Sequence, residues 1–166
     1  PAGDQPLRFC LYTQTGANGA PPITLTDAEL NLATLTQGGP SRWGQTIETQ
    51  VKAGSESDPF ATDFLTAPET NPWLAQTRFT GLDFFPDGRI ALCSWDGDVW
   101  VVEPTGDKLR WKRIANGMFQ PLGLKVVDSK IHVTCRDQLT VLHDLNGDGE
   151  IDWFQCLNTD HQVTEH

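Results

Sequence analysis

The residues most able to do chemistry lie in one short stretch. Asp144-Leu145-Asn146-Gly147-Asp148-Gly149-Glu150-Ile151-Asp152 fits the pattern D-x-N-x-D-G-x-x-D. Oxygen-bearing side chains at the first, third and fifth positions converge on a hard cation, and glycine at the sixth permits the sharp turn between them. Glu150, at the seventh, would add its backbone carbonyl, and Asp152, at the ninth, a carboxylate acting directly or through water. Asp144, Asn146, Asp148, Glu150 and Asp152 are therefore the expected ligands of a Ca2+ ion. An EF-hand would need a bidentate glutamate at the twelfth position, and that residue is Gln155. No base or nucleophile stands beside the loop, so the expected ion is structural. The alternative is a solvated Asn-Gly/Asp-Gly hairpin turn that holds no metal.

Two histidines are the remaining catalytic candidates. His161 and His166 bracket Glu165, but their spacing matches neither H-E-x-x-H nor H-x-x-E-H. Either imidazole could act as a general base near neutral pH, and the commoner outcome for such residues is an inert, exposed tail. Trp73, Trp95, Trp100, Trp111 and Trp153 would suit stacking on sugars, although in layered sheets such rings more often pack sheet against sheet. The sequence contains no G-x-S-x-G, no P-loop and no G-x-G-x-x-G. Cys10, Cys93, Cys135 and Cys156 are widely spaced, with no C-x-x-C and no haem attachment motif. They could form two disulfides by any of three pairings in an oxidising compartment, or serve as small buried hydrophobes.

The elements that must position the acidic loop are short strands. At 166 residues and 38% hydrophobic content the chain can bury a core. With 22 acidic residues against 12 basic ones, its net charge of -10 disfavours nucleic acid and anionic membrane surfaces. No apolar run reaches the length of a membrane span, and no signal-peptide layout opens the sequence, which reads as mature or as cut from a longer precursor. Residues 1–74 are rich in Thr, Gln, Gly, Pro and Ala and read as an irregular N-terminal segment. Within it, the capping-box pattern Thr26-Asp27-Ala28-Glu29 predicts one short helix over about Asp27 to Thr36. Leu7 to Tyr12 and Thr46 to Lys52 are candidate strands.

Residues 75–166 read as strands separated by strong turn signals. Gly81 to Phe85, Arg89 to Trp95, Val99 to Glu103 and Leu109 to Ile114 form one antiparallel meander, with Pro86-Asp87-Gly88 and Asp96-Gly97-Asp98 as reversals. The pattern restarts at Gly123 to Val127, Ile131 to Cys135 and Leu139 to His143, and Trp153 to Cys156 follows the acidic loop. Gly81-Leu82 recurs as Gly123-Leu124, an offset of 42 residues, and Ile90 recurs as Ile131. A four-stranded unit repeating at this interval is the mark of a β-propeller blade. The expected fold is all-β: a partial β-propeller of about two four-stranded antiparallel blades, an incomplete ring, after the irregular segment. Two unrelated meanders of a β-sandwich are the alternative. The strand-loop-strand setting of the acidic loop also resembles the calcium sites of integrin-type propeller blades.

Several motifs in order carry a wider resemblance. Asn71-Pro72-Trp73, Gly81 to Gly88, Gly97-Asp98-Val99-Trp100, Phe119 to Lys125, Cys135 to Gln138 and His143 to Asp152, followed by His161 to His166, resemble the large secreted bacterial propellers related to soluble glucose and sorbosone dehydrogenases. Gly38-Gly39-Pro40 and Arg42-Trp43 resemble the segment that precedes the propeller there. The resemblance implies an extracytoplasmic protein, periplasmic or secreted, of which this chain is the N-terminal part. The remaining blades would lie in a longer chain, often joined to a cytochrome c domain or a carbohydrate-binding module. It implies a parent that binds pyrroloquinoline quinone (PQQ) with calcium and oxidises a carbohydrate; the resemblance carries no quinone-binding residue over onto this part, which alone is expected to be inactive. The competing reading is a non-catalytic propeller that binds glycan or protein partners.

Overall fold

In the computed structural model, residues 32–57 and 59–160 are described. The candidate strand Leu7 to Tyr12, the first half of the expected helix, Cys10, and both His161 and His166 lie outside them. What remains of the expected helix is a five-residue 3-10 turn, Leu32–Thr36, so the capping-box reading is corrected there from a regular helix to a tighter turn. The apolar positions of this turn cannot settle into a core, since Leu35 stays 70% exposed.

Among the described residues all other regular elements are strands: β1 (Thr46–Lys52), β2 (Phe64–Leu65), β3 (Phe79–Phe84), β4 (Ile90–Ser94), β5 (Val99–Thr105), β6 (Lys108–Ala115), β7 (Gly123–Val127), β8 (Lys130–Thr134), β9 (Leu139–His143) and β10 (Trp153–Asn158). They form two antiparallel sheets, ordered β2-β1-β6-β5-β4-β3 and β10-β9-β8-β7. Each contains a meander of four consecutive strands. The first is widened by β1, which returns from the irregular segment to pair with β6 from Thr46↔Lys112 to Gln50↔Lys108. The turn between β7 and β8 holds Asp128 and Ser129 at φ 48° and 60°, the left-handed pair that a tight hairpin with the strands' own twist requires.

Alternation along the strands divides the core into two layers on either side of the first sheet. Every residue of β4 is buried because both of its faces are covered. Ala91 and Cys93 point with Val99, Ile114 and Ala115 toward Ile131, Val133 and Leu142 of the second sheet. Ile90 and Leu92 point the other way, with Trp100, Val102, Leu109 and Trp111, and are covered by Ile47, Val51, Trp73 and Phe79. Trp95 and Trp153 are exposed, whereas the other three candidate tryptophans pack rather than face solvent: Trp100 and Trp111 are buried, with Trp73 tilted against Trp100 at 5.8 Å and Phe79 stacked on Trp111 at 5.5 Å. Beside them Arg113 pairs with the buried Asp98 carboxylate through Nε at 3.0 Å and lies over the Trp43 ring at 4.9 Å. Cys93 and Cys135 are buried in the other layer, and Cys156 is exposed. Burial pushes Cys93 up, and burial with the Asp137 charge pushes Cys135 to about 11, so both stay protonated near neutral pH.

The two sheets meet along their first strands, at positions that correspond in the sequence repeat. A Cβ on Gly81 would sit 2.8 Å from the Leu124 amide nitrogen and 3.0 Å from Gly123 Cα, so only glycine permits this approach of β3 to β7. Thr80 Oγ1 donates to the Pro121 carbonyl at 2.7 Å. Asp83 on β3 accepts the Val126 amide at 2.8 Å and the Lys125 ammonium at 2.9 Å. These bonds hold the Asp83 carboxyl down to about 2, the Val126 amide contributing most.

Gly81→Ala is expected to lower stability by about 1–3 kcal/mol, through forced separation of the strands. Gly123→Ala, whose new methyl meets nothing closer than 3.9 Å, should stay within about 1 kcal/mol of the parent; urea titration compares the two. Asp83 is depressed in the folded state, so its contribution is present above the unfolded carboxylate value and is lost as pH falls toward about 2. The gap in urea midpoint between the parent and Asp83→Asn should therefore be full at neutral pH and shrink below about pH 4.

Candidate functional site

The acidic loop connects β9 to β10, as its strand-like flanks require. Each side-chain oxygen of its pattern is held by a nearby amide. Asp144 accepts Gly147 N at 2.7 Å and Gly149 N at 2.8 Å, Asn146 Oδ1 accepts Asp148 N at 3.0 Å, and Asp148 Oδ1 accepts Glu150 N at 2.8 Å. Asp152 Oδ2 closes the loop on Leu145 N at 2.9 Å. Gly149 makes this wrap possible: its φ is +80°, and an added Cβ would lie 2.6 Å from the Lys112 ammonium.

Asp144, Asn146, Asp148 and Asp152 are thus brought onto one loop, each making a bond inside it. Among the described residues, however, no three His, Cys, Asp or Glu side chains are gathered closely enough to hold a metal ion. The oxygens that carry one amide bond each keep a further lone pair, which is the donor capacity a hard cation would use.

Glu150 occupies a different place from its neighbours. Its side chain is 5% exposed and turns away from the loop toward the segment before β1. There it accepts the Ser41 hydroxyl, the Arg42 amide at 2.6 Å and the Trp43 amide at 2.7 Å. Burial works to raise its pKa, but the bonds from Ser41, Arg42 and Trp43 and the Lys112 charge outweigh it, leaving Glu150 below the usual carboxylate range. Asp152 grips the same segment by accepting Gly39 N at 2.8 Å, and Asn146 Nδ2 donates to the Gly39 carbonyl at 2.7 Å. The amides of Leu145 and Gly39 hold Asp152 down as well.

The loop is also fastened to the first sheet. Lys112 Nζ on β6 donates to the Asp148 carbonyl at 2.6 Å and Ile151 N donates to the Ile114 carbonyl at 2.8 Å, while Asp152 N closes the hairpin itself on the His143 carbonyl of β9 at 2.9 Å. Three parts of the chain therefore converge here: the end of the first sheet, the hairpin β9-β10, and residues 39–43. Sequence reasoning assigned Glu150 only a carbonyl and did not place Lys112 or Ser41 at the site. Gly38-Gly39-Pro40 and Arg42-Trp43 stood out as motifs, but nothing in their spacing named the loop as their partner.

The chain matches no family model, and no curated protein or solved structure is found to be similar to it. Among the described residues, no helix is long and apolar enough to cross a membrane.

Glu150→Ala is expected to cost about 2–4 kcal/mol, since it strips three donors of a buried charged acceptor, whereas Ser41→Ala removes one and should cost about 1 kcal/mol. Because Glu150 is depressed in the folded state, its contribution is present above about pH 4 and is lost as pH falls through the lowered value. Urea denaturation at neutral pH and at about pH 3 checks both the ranking and its narrowing in acid.

Proposed function

We propose that this chain supplies two adjoining blades of an extracytoplasmic β-propeller fastened by calcium, and that its described part is scaffold rather than catalyst. The observation that carries the reading is the pairing of like with like: two four-stranded meanders lie with their first strands in contact, Gly81 of one against Gly123 and Leu124 of the next. Blades around an axis pack in this way, and each needs a neighbour to cover its open face. On the second sheet, Trp153 and Leu157 are 47% and 49% exposed, and the Trp153 ring is stacked on His143 at 4.7 Å. In this reading a further blade of a longer chain covers them.

Calcium is proposed for the acidic loop on the chemistry of its donors. Asp144, Asn146, Asp148 and Asp152 are hard oxygen ligands at the spacing such an ion takes, with the Glu150 carbonyl beside them. Lys112 is bonded to the loop, which carries three carboxylates besides Glu150: Asp144, Asp148 and Asp152. A divalent ion would relieve that repulsion and stiffen the loop that grips residues 39–43.

The motif resemblance adds a parent enzyme that oxidises a carbohydrate with PQQ. The residues where β3 and β7 meet do not fit that cofactor: Thr80 and Asp83 spend their polar atoms on Pro121, Val126 and Lys125. A propeller that binds glycan or protein partners is the competing reading, and reduction of a dye by aldoses in the longer protein supplied with PQQ and calcium would make the parent a dehydrogenase.

Saturating calcium should raise the melting temperature by about 2–8 °C relative to chelator, the shift produced by about 1–3 kcal/mol of linked binding. Asp148→Ala should abolish the rise while leaving the fold intact by circular dichroism. Identical melting with calcium and chelator, or an undiminished response in Asp148→Ala, would remove the metal from the account.

A further inference from the structure

The sheets touch at β3 and β7 and leave a cleft of about 500 Å3 between their outer strands. That is within the range of small-molecule sites, roughly 300–1,000 Å3. Its floor is apolar, made by Phe85, Ile114, Ile131 and Leu142, all buried core residues with one edge on the cleft. Its rim is basic. Arg89, Arg110, Lys112 and Lys130 line it against only two carboxylates, Glu103 and Asp144. In a chain of net charge -10, a lining with two more cations than anions is a local reversal of sign.

The four cations are not equally available. Arg89 is paired with Asp87 at 2.8 Å, and Arg110 with Glu103. Lys112 spends one of its three donors on the Asp148 carbonyl. Lys130, the first residue of β8, has its carbonyl bonded to His132 Nδ1 at 3.2 Å, but its ammonium has no hydrogen-bond or ion-pair partner among the described residues. Three of the four cations are thus engaged by the fold itself, and the Lys130 ammonium is the one left open to an anion entering the cleft.

We propose that this cleft binds a small organic acid, with one carboxylate taken up at the basic rim, Lys130 foremost, and an aryl or alkyl body lying on the apolar floor. A neutral ligand of the same shape gains the floor alone, and an inorganic anion the rim alone; only an amphipathic anion satisfies both. The inference stands on the cleft and does not require the loop to hold a metal.

The test is calorimetric titration of the whole chain, in low salt with calcium present, using 2-naphthoate and its neutral analogue 2-naphthylmethanol. One saturable naphthoate site is expected, about tenfold tighter than any site for the alcohol. Lys130→Gln should weaken naphthoate about fivefold, leave binding of the alcohol unchanged, and not alter the melting temperature, because the Lys130 ammonium has no partner to lose. Absence of saturable naphthoate binding, equal affinity for the two compounds, or unchanged affinity in Lys130→Gln would each overturn the proposal.

Discussion

A buried carboxylate governs how this chain is put together. Glu150 is nearly removed from solvent, a placement that costs an isolated ion several kcal/mol, and it is tolerated because Ser41, Arg42 and Trp43 surround it with donors. Hydrogen bonds to a charged group contribute about 1.5–3 kcal/mol each, so three of them offset the desolvation, in keeping with the lowered pKa. The consequence is structural. A segment with little regular structure of its own is tied to the hairpin β9-β10, more than a hundred residues further along the chain. That tie holds Trp43 where its ring covers Arg113, which in turn neutralises Asp98 inside the first sheet.

The two core layers depend on the same arrangement. β4 can be apolar on both faces only because the second sheet covers one and the aromatic group around Trp73, Trp100 and Trp111 covers the other. Asn71 prepares that second cover: its amide donates to the carbonyls of Pro68 and Ala75, and its oxygen accepts the Ala75 amide, which fixes the turn carrying Trp73. The sheets come closest at β3 and β7, where the contact is polar, beside the apolar layer that Ala91, Cys93 and Ile114 share with Ile131, Val133 and Leu142. Away from that line the sheets diverge, and the basic cleft is the space they leave.

The strands of the two meanders were legible because alternation and turn chemistry agreed. Gly123–Val127 and Leu139–His143 match the expected limits, while β5 runs through Pro104 to Thr105, past the turn read at Pro104. The Gly81/Gly123 correspondence pointed to repeated units; the two positions lie against each other in the fold, and the close approach requires glycine at Gly81 but not at Gly123. The pairing of β1 with β6 was not legible, since it joins residues about sixty positions apart with no local signal. Nor was the role of the Glu150 side chain, because a glutamate at the seventh position of an acidic loop reads the same whether it faces solvent or a distant backbone. The donor pattern of Asp144, Asn146 and Asp148 was recognisable from spacing alone, whereas their mutual distances depend on amide bonds that spacing does not specify.

The acidic loop is thus a fastener at the junction of two sheets and a leading segment, with the cation proposed to set its stiffness. Amide hydrogen exchange at Arg42 and Trp43, measured with calcium and with chelator, tests this most directly. Slow exchange at both amides in calcium, faster exchange in chelator, and loss of protection in Glu150→Ala are the expected results. Exchange at both amides as fast as in an unfolded chain, with calcium present, would contradict the account.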